Sequence, residues 1–250
     1  MAMTDRPVML IAGGSGSVGQ AIAREAMGQG WAVALHGRNG NKLNEIVASL
    51  SDSGEIEDFA DDVWGNDAAS SLVAEVTERF GRIDAVVDCV ATGPARGRIT
   101  GIFSQTTPDI YSEFLDMSVG WLERLAHAAY PKLAENGGTF ISFISDAGIY
   151  AAPNQTLIGA ARAGAIGFIR NLAVEAARDG IRAHCISPSY VKGSDSAVRM
   201  GSERMAKAEK RAGLGLPSAE DIAPMAVFLC GPGASKITGQ VISINGGLNA

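Results

Sequence analysis

The sequence is poor in the residues that mark several classes of protein. Only three cysteines, Cys89, Cys185 and Cys230, occur in 250 residues. Their number is odd and their spacing fits no metal site, so neither a disulfide framework nor a zinc module is expected, and the thiols read as reduced core residues of a cytoplasmic protein. Basic residues are outnumbered, 21 Lys and Arg against 27 Asp and Glu, for a net charge of −6. They are scattered and form no stripe, which argues against nucleic acid as a partner. No apolar run approaches the ~18 residues of a membrane span. Met1 to Pro7 lacks a basic region followed by an apolar core, so neither a membrane contact nor an export signal is expected. Internal repeats, low-complexity stretches and domain linkers are missing too.

Glycine and aliphatic residues are plentiful. With 31 glycines and 46% hydrophobic residues, the chain can bury a sizeable core and fits one large α/β domain spanning residues 1–250. The stretch from Val8 to Ala23 organises the rest. An apolar strand is followed by Gly13-Gly14-Ser15-Gly16-Ser17-Val18-Gly19 and then by a helix with Val18, Ile22 and Ala26 on one face. Gly13, Gly16 and Gly19 remove β-carbons at three-residue spacing, so the backbone can turn tightly and approach a phosphate, and the exposed N–H groups of the helix start favour an anion. Further strands and helices alternate behind it. Strands are expected at Trp31–His36, Glu55–Ala60, Ala85–Val90, Thr139–Ile144, Ile181–Ile186 and Gln240–Ile244. Helices are expected near 42–50, 67–80, 118–135, 155–178 and 219–230. The alternation predicts a doubly wound, Rossmann-type parallel sheet of about seven strands. Residues 92–110 read as a long irregular connection and 193–215 as a mobile segment, and both are placed to shape a pocket.

The end of the second strand bears on cofactor choice. An acidic residue there would hold the ribose hydroxyls of NAD, whereas Gly37-Arg38 favours the 2′-phosphate of NADP, leaving NAD the poorer fit. After the third strand, Asp62 can accept from an adenine amino group and Val63 can cover a ring edge; the same pair also reads as a helix cap and an apolar contact. The helix from Gln155 to Arg178 is rich in Gly and Ala, so close helix approach at a subunit interface is expected.

From the glycine turn to Gly247 the chain resembles the short-chain dehydrogenase/reductase family. The resemblance is carried by Asp62-Val63, Gly81-Arg82-Ile83-Asp84, Pro131, Ser145 three residues before Gly148, Arg162-Ala163-Gly164, Ile186-Ser187-Pro188, Ile237-Thr238-Gly239-Gln240 and Asn245-Gly246-Gly247-Leu248. It implies an oxidoreductase that binds NAD or NADP, the latter favoured by Arg38, moves hydride to or from a small-molecule substrate, and assembles as a homotetramer or homodimer. The cofactor-binding positions it implies are Gly13, Ser15, Gly16, Ser17, Val18, Gly19, Arg38, Asp62, Val63, Val90, Ala91, Arg162, Pro188, Ser189 and Val191, with Ser145 and Arg162 as catalytic positions and no metal.

The family's proton-transfer residues are not repeated. Its serine corresponds to Ser145, its tyrosine to Ile158 and its lysine to Arg162, and no Tyr-x-x-x-Lys occurs in any register. Its active-site Asn falls at Ser118, its Asn-Asn-Ala-Gly at Asp88-Cys89-Val90-Ala91, and its Pro-Gly after strand six at Pro188-Ser189. Arginine keeps its proton, so Arg162 is a poor relay. Asp88, Asp146, Tyr150, His184 and Tyr190 are candidate substitutes where strand ends meet. The leading expectation is an NADP-dependent enzyme with an atypical site, acting on a conjugated C=C or an unusual carbonyl or alcohol. The alternatives are a non-redox enzyme on this fold, such as a lyase, isomerase or dehalogenase, and a catalytically silent NADP-binding subunit.

Overall fold

Strand β1, Val8–Ala12, is shielded from solvent along its whole length, which is why it can be five apolar residues without alternation. A computed structural model, which describes residues 4–90 and 99–249, places it at the centre of one parallel sheet. The strands are β2 Ala32–Gly37, β3 Ile56–Ala60, β4 Ala85–Asp88, β5 Thr139–Phe143, β6 Arg182–Ser187 and β7 Val241–Ser243, in the order β3-β2-β1-β4-β5-β6-β7. Every pairing is parallel. This is the expected α/β fold and strand number. The chain order reverses between β1 and β4, and a ligand crevice opens at the carboxyl ends of strands at such a switch point.

Helices α1 Ser17–Gly28, α2 Gly40–Leu50, α3 Ala68–Phe80, α4 Tyr111–Leu115, α5 Trp121–Asn136, α6 Thr156–Ala176, α7 Asp195–Met200, α8 Ser202–Arg211 and α9 Ala219–Cys230 cover the sheet and its edges. Side chains alternate across the strands, so Leu10, Val86 and Phe140 pack with α3, α5 and α6, while Met9, Val87 and Ile141 pack with α1, α2 and α9. Fully burying each such apolar side chain is worth about 1.5–3 kcal/mol, so the two faces supply most of the driving force for the fold.

Some expectations are revised. Residues 193–215 hold the two short helices α7 and α8; Ser194 caps the first through Ala197 N at 3.1 Å. The helix expected from Ser118 starts instead as a π-helical turn, Asp116–Gly120, that leads into α5, and the short α4 stands before it. Among the described residues one helix, Thr156–Asp179, is long and apolar enough to cross a membrane, with mean hydropathy 1.3. Leu, Ile, Val and Ala residues raise that average despite Arg162 and Arg170, and Ala165, Ile169 and Ala173 pack it on the sheet as a core helix.

Candidate active site

The glycine turn is built by contacts that tolerate no side chain. Gly13 has φ +73°, and a Cβ there would lie 2.8 Å from the backbone carbon of Cys89 and 2.9 Å from Val90 N. The end of β4 is thereby pressed against the turn. A Cβ on Gly19 would lie 2.6 Å from Gly14 Cα, which lets α1 approach the strand. Gly14 N donates to His36 O at 2.7 Å and ties the turn to β2.

Gly16 is different. It is the N-cap of α1 with φ −80°, ordinary for any residue, and a Cβ there would meet nothing nearer than Gly13 O at 3.7 Å. Neither strain nor packing asks for glycine, so the missing side chain leaves open space in front of the first-turn N–H groups. That is what a pyrophosphate requires at a helix start. Ser15 stands beside the space, and its Oγ would be 3.1 Å from a Cβ on Gly37. Arg38 follows, exposed and without a hydrogen bond or ion pair among the described residues. The cradle thus fits a dinucleotide phosphate, with the Arg38 guanidinium unpaired among the described residues at the end of β2.

After β3, Asp62 is exposed and its Oδ1 accepts from Val63 N at 2.8 Å. Val63 is packed into the core beside α3 and offers only its 4% exposed edge to a ligand. Val90 is half-buried at the end of β4, and Ala91 lies outside the described residues. After β6, Pro188 and Val191 are buried, and Ser189 holds φ +59° where the family has glycine. The left-handed backbone of that loop therefore survives without glycine, at a local cost of roughly 1–2 kcal/mol.

Ser145 is half-buried at the end of β5 and caps the 3-10 turn Asp146–Gly148 by accepting from Ala147 N at 3.4 Å. Ile158 packs against an apolar cluster of Ile99, Ile110, Phe114 and Ala161. Arg162 is buried, 8% exposed, and makes no hydrogen bond or ion pair among the described residues. Burial lowers its pKa, and the charge of Asp88 offsets part of that. Asp88, the last residue of β4, accepts at Oδ1 from Trp121 Nε1 and Val90 N, both at 3.2 Å. Burial pushes its carboxyl up to about 6.

The other candidate acids separate. Asp146 is buried and committed, accepting from Ser187 Oγ at 2.6 Å, Asn245 Nδ2 at 2.9 Å and Asn249 Nδ2 at 2.8 Å. His184 does not reach a strand end: it pairs with Ile141 inside the sheet, fully buried. Tyr150 is exposed beside Ile149, Ile166, Arg170 and Val241, and Tyr190 accepts from Arg204 Nε at 3.2 Å. Ser118 lies on the π-helical turn with a buried hydroxyl that finds no partner among the described residues. Sequence reasoning missed Trp121 and the asparagines around Asp146, whose bonds span 33 to 103 residues of chain and carry no local pattern.

These features define a doubly wound α/β domain with a dinucleotide cradle at its switch point. The chain belongs to the short-chain dehydrogenase/reductase family: the family described as enoyl-(acyl-carrier-protein) reductase matches residues 12–249. Among its relatives, 3-oxoacyl-(acyl-carrier-protein) reductase FabG of Chlamydia trachomatis is 30% identical over 247 residues, covering 96% of each chain. Peroxisomal 2,4-dienoyl-CoA reductase SPS19 of Saccharomyces cerevisiae is 27% identical over 248 residues, covering 96% of this chain and 83% of its own. A crystal structure of actinorhodin polyketide ketoreductase with NADPH superposes with a TM-score of 0.89 at 25% identity, covering 99% of each chain. These relatives are oxidoreductases by name.

Proposed function

We propose that the protein is an NADP(H)-dependent reductase of a conjugated double bond, and the observation that carries this reading is an intact phosphate cradle combined with Ile158 at the family's tyrosine position. When bound, the reduced nicotinamide cofactor supplies hydride. The glycine turn from Gly13 to Gly19, with Ser15, Ser17 and Val18, would hold the pyrophosphate, Arg38 the 2′-phosphate, and Asp62 with the edge of Val63 the adenine. Val90, Ala91, Pro188, Ser189 and Val191 would line the nicotinamide side, and Arg162 would face its ribose.

Reduction of a simple ketone needs a proton donor at the carbonyl oxygen as hydride arrives, and a positioned acid is worth about 10²–10⁴ in rate. Ile158 has no proton to give. A conjugated acceptor instead spreads charge onto an oxygen that Ser145 can bond and Arg162 can stabilise, and protonation follows separately. The name of the yeast relative, a dienoyl-CoA reductase, supports a conjugated acyl thioester as the substrate class. The reading includes a homo-oligomer, with the outward side of α6, where Val174 is 78% exposed, as the contact surface.

The test is NADPH oxidation with 2-enoyl and 2,4-dienoyl thioesters against matched 3-oxoacyl thioesters and simple ketones. Turnover confined to the unsaturated set is expected. Faster turnover of the 3-oxoacyl compounds overturns the reading, and tight NADPH binding without turnover of any acceptor makes the chain a silent cofactor-binding subunit.

A further inference from the structure

Two departures from the family pattern lie 74 residues apart in sequence, and the fold buries both close enough for each charge to act on the other without direct contact: the family's neutral Asn is Asp88, and its Lys is Arg162. Both are buried, at 6% and 8% exposure. Across the sheet the register runs Ala12, Asp88, Ser142, Cys185, and all four side chains point to the face covered by α5 and α6. The hydroxyl of Ser142 is buried without a partner among the described residues, and so is that of Ser118 on the turn packed against α6. A hydrogen-bonded carboxyl, a guanidinium with no acceptor among the described residues and two orphan hydroxyls therefore occupy one region behind the carboxyl ends of β4 and β5. Orphaned buried polar groups are costly unless they serve a ligand, water or chemistry.

We propose that Asp88 and Arg162 form a buried proton-exchanging pair, in which Asp88 stores the proton that the site gives up and Arg162 stabilises the carboxylate left behind. The guanidinium adds to the Val90 N and Trp121 Nε1 bonds in favouring the carboxylate against its burial, and a guanidinium without the carboxyl would be an uncompensated charge. The two replacements thus stand as one feature. The titratable group facing the pair is Cys185 beside Arg162, pushed upward by burial and neutral at physiological pH, while Cys89, next to Asp88 in the chain, packs on the opposite face of the sheet. On the remaining sides β1 presents Ala12 and α5 presents Trp121, which do not titrate. His36 stacks on Trp121 with ring centroids 6.2 Å apart, and burial lowers its pKa.

The use of the pair in hydride chemistry rests on the reductase reading. Addition of hydride from a reduced nicotinamide cofactor to the β-carbon of a conjugated acceptor leaves an enolate, which needs one proton at the α-carbon to complete the saturated product. That proton is drawn from the Asp88 carboxyl, the O–H electron pair stays on Asp88 as carboxylate, and solvent restores the proton afterwards.

Difference infrared spectroscopy of the cofactor-free protein, titrated across about pH 4–8, tests the pair directly. In wild type a carboxylic acid band should disappear with a midpoint at about 6, and Asp88→Asn should abolish it. Arg162→Gln should raise the midpoint by about one pH unit, whereas Arg162→Lys, which keeps the charge, should leave it in place. A band that survives Asp88→Asn, no band in this range, or a midpoint indifferent to Arg162→Gln overturns the pair. If Arg162→Gln fails to fold, Arg162→Met serves the same comparison. Lack of turnover on every unsaturated acceptor would sink the reductase reading and leave the titration result standing.

Discussion

Single residues separate the glycines that build the turn from the one that leaves room for a ligand. Gly13 needs its positive φ and has backbone atoms 2.8–2.9 Å from where a Cβ would be, whereas Gly16 has neither constraint. Gly16→Ala should therefore leave unfolding free energy within about 1 kcal/mol of wild type, as expected for an N-cap change. It should weaken NADPH binding by about tenfold or more, the equivalent of one 1.4 kcal/mol contact. Urea unfolding and fluorescence titration give the two values, and a variant that binds NADPH normally would remove the cradle argument. Arg38 has no competing partner among the described residues. Its change to Ala should cost NADPH about 1.5–3 kcal/mol of binding, the range for a charged hydrogen bond, and spare NADH. Equal losses would place the 2′-phosphate elsewhere. Ile158→Tyr combined with Arg162→Lys should raise ketone reduction at least about tenfold, a small share of what a positioned acid can contribute. No gain in a folded, NADPH-binding double variant would mean that Ser118 and Asp88 have reshaped the site beyond this repair.

At the scale of elements, one carboxylate joins three of them. Asp146 opens the turn that follows Ser145, Ser187 ends β6, and Asn245 and Asn249 belong to the segment after β7. Leu248 of that segment packs with Ala208, Ala212 and Leu216, and Leu214 N donates to Gly246 O at 3.0 Å. The helical cap formed by α7 and α8 is thus linked to the Ser145 turn through the last residues. Asp146→Ala should destabilise the protein by about 3 kcal/mol, because it removes charged hydrogen bonds and strands buried donors. Hydrogen exchange should quicken first in residues 245–249 and 212–216. Uniform acceleration across the sheet would instead mark a global loss of stability without this linkage.

For the whole molecule, two buried groups oppose one another in their response to pH. Burial, joined by the charge of Arg182 and only partly offset by the Ile237 backbone, lowers the His184 pKa to about 4. A group that binds protons more weakly when folded destabilises the fold in acid, so its contribution is lost as pH falls from about 6.5 to 4. Asp88 works in the other direction. Its folded pKa of about 6 lies above the ordinary carboxylate value, so its protonation favours the fold, and that contribution disappears as pH rises from about 4 to 6. Each shift amounts to about 3 kcal/mol at 1.36 kcal/mol per unit, so the two nearly cancel between about pH 4 and 6. Asp88→Asn removes one side of this balance. Its unfolding free energy, followed by urea denaturation, should therefore fall more steeply with acid than that of wild type, and parallel curves would contradict the assignment.

Much of the architecture was legible in local pattern. Apolar runs bounded by glycine marked β1 to β7 to within a few residues, because strands buried on both faces need no alternation, and α9 spans the expected Ala219–Cys230, starting at a capping box of Ser218 and Asp221. The glycine spacing announced the cradle, since a tight turn and a close phosphate both demand missing side chains nearby in sequence. The π-helical turn at Asp116–Gly120 left no such trace, because its geometry depends on Arg124 gripping Asp116 and on packing against α6. Nor could sequence show that Asp88 and Arg162 are buried within reach of each other's charge, that Trp121 bonds Asp88, or that Asp146 is held by Asn245 and Asn249, and it placed His184 at a strand end where the register puts it inside the sheet. By itself, then, the sequence determined the order of elements, the glycine cradle and the residues missing from the family's proton-transfer set, because these are local or countable. Only the tertiary structure decided which buried charges and hydroxyls became neighbours, because parallel pairing joins residues tens of positions apart and side-chain alternation sends adjacent residues to opposite faces of the sheet.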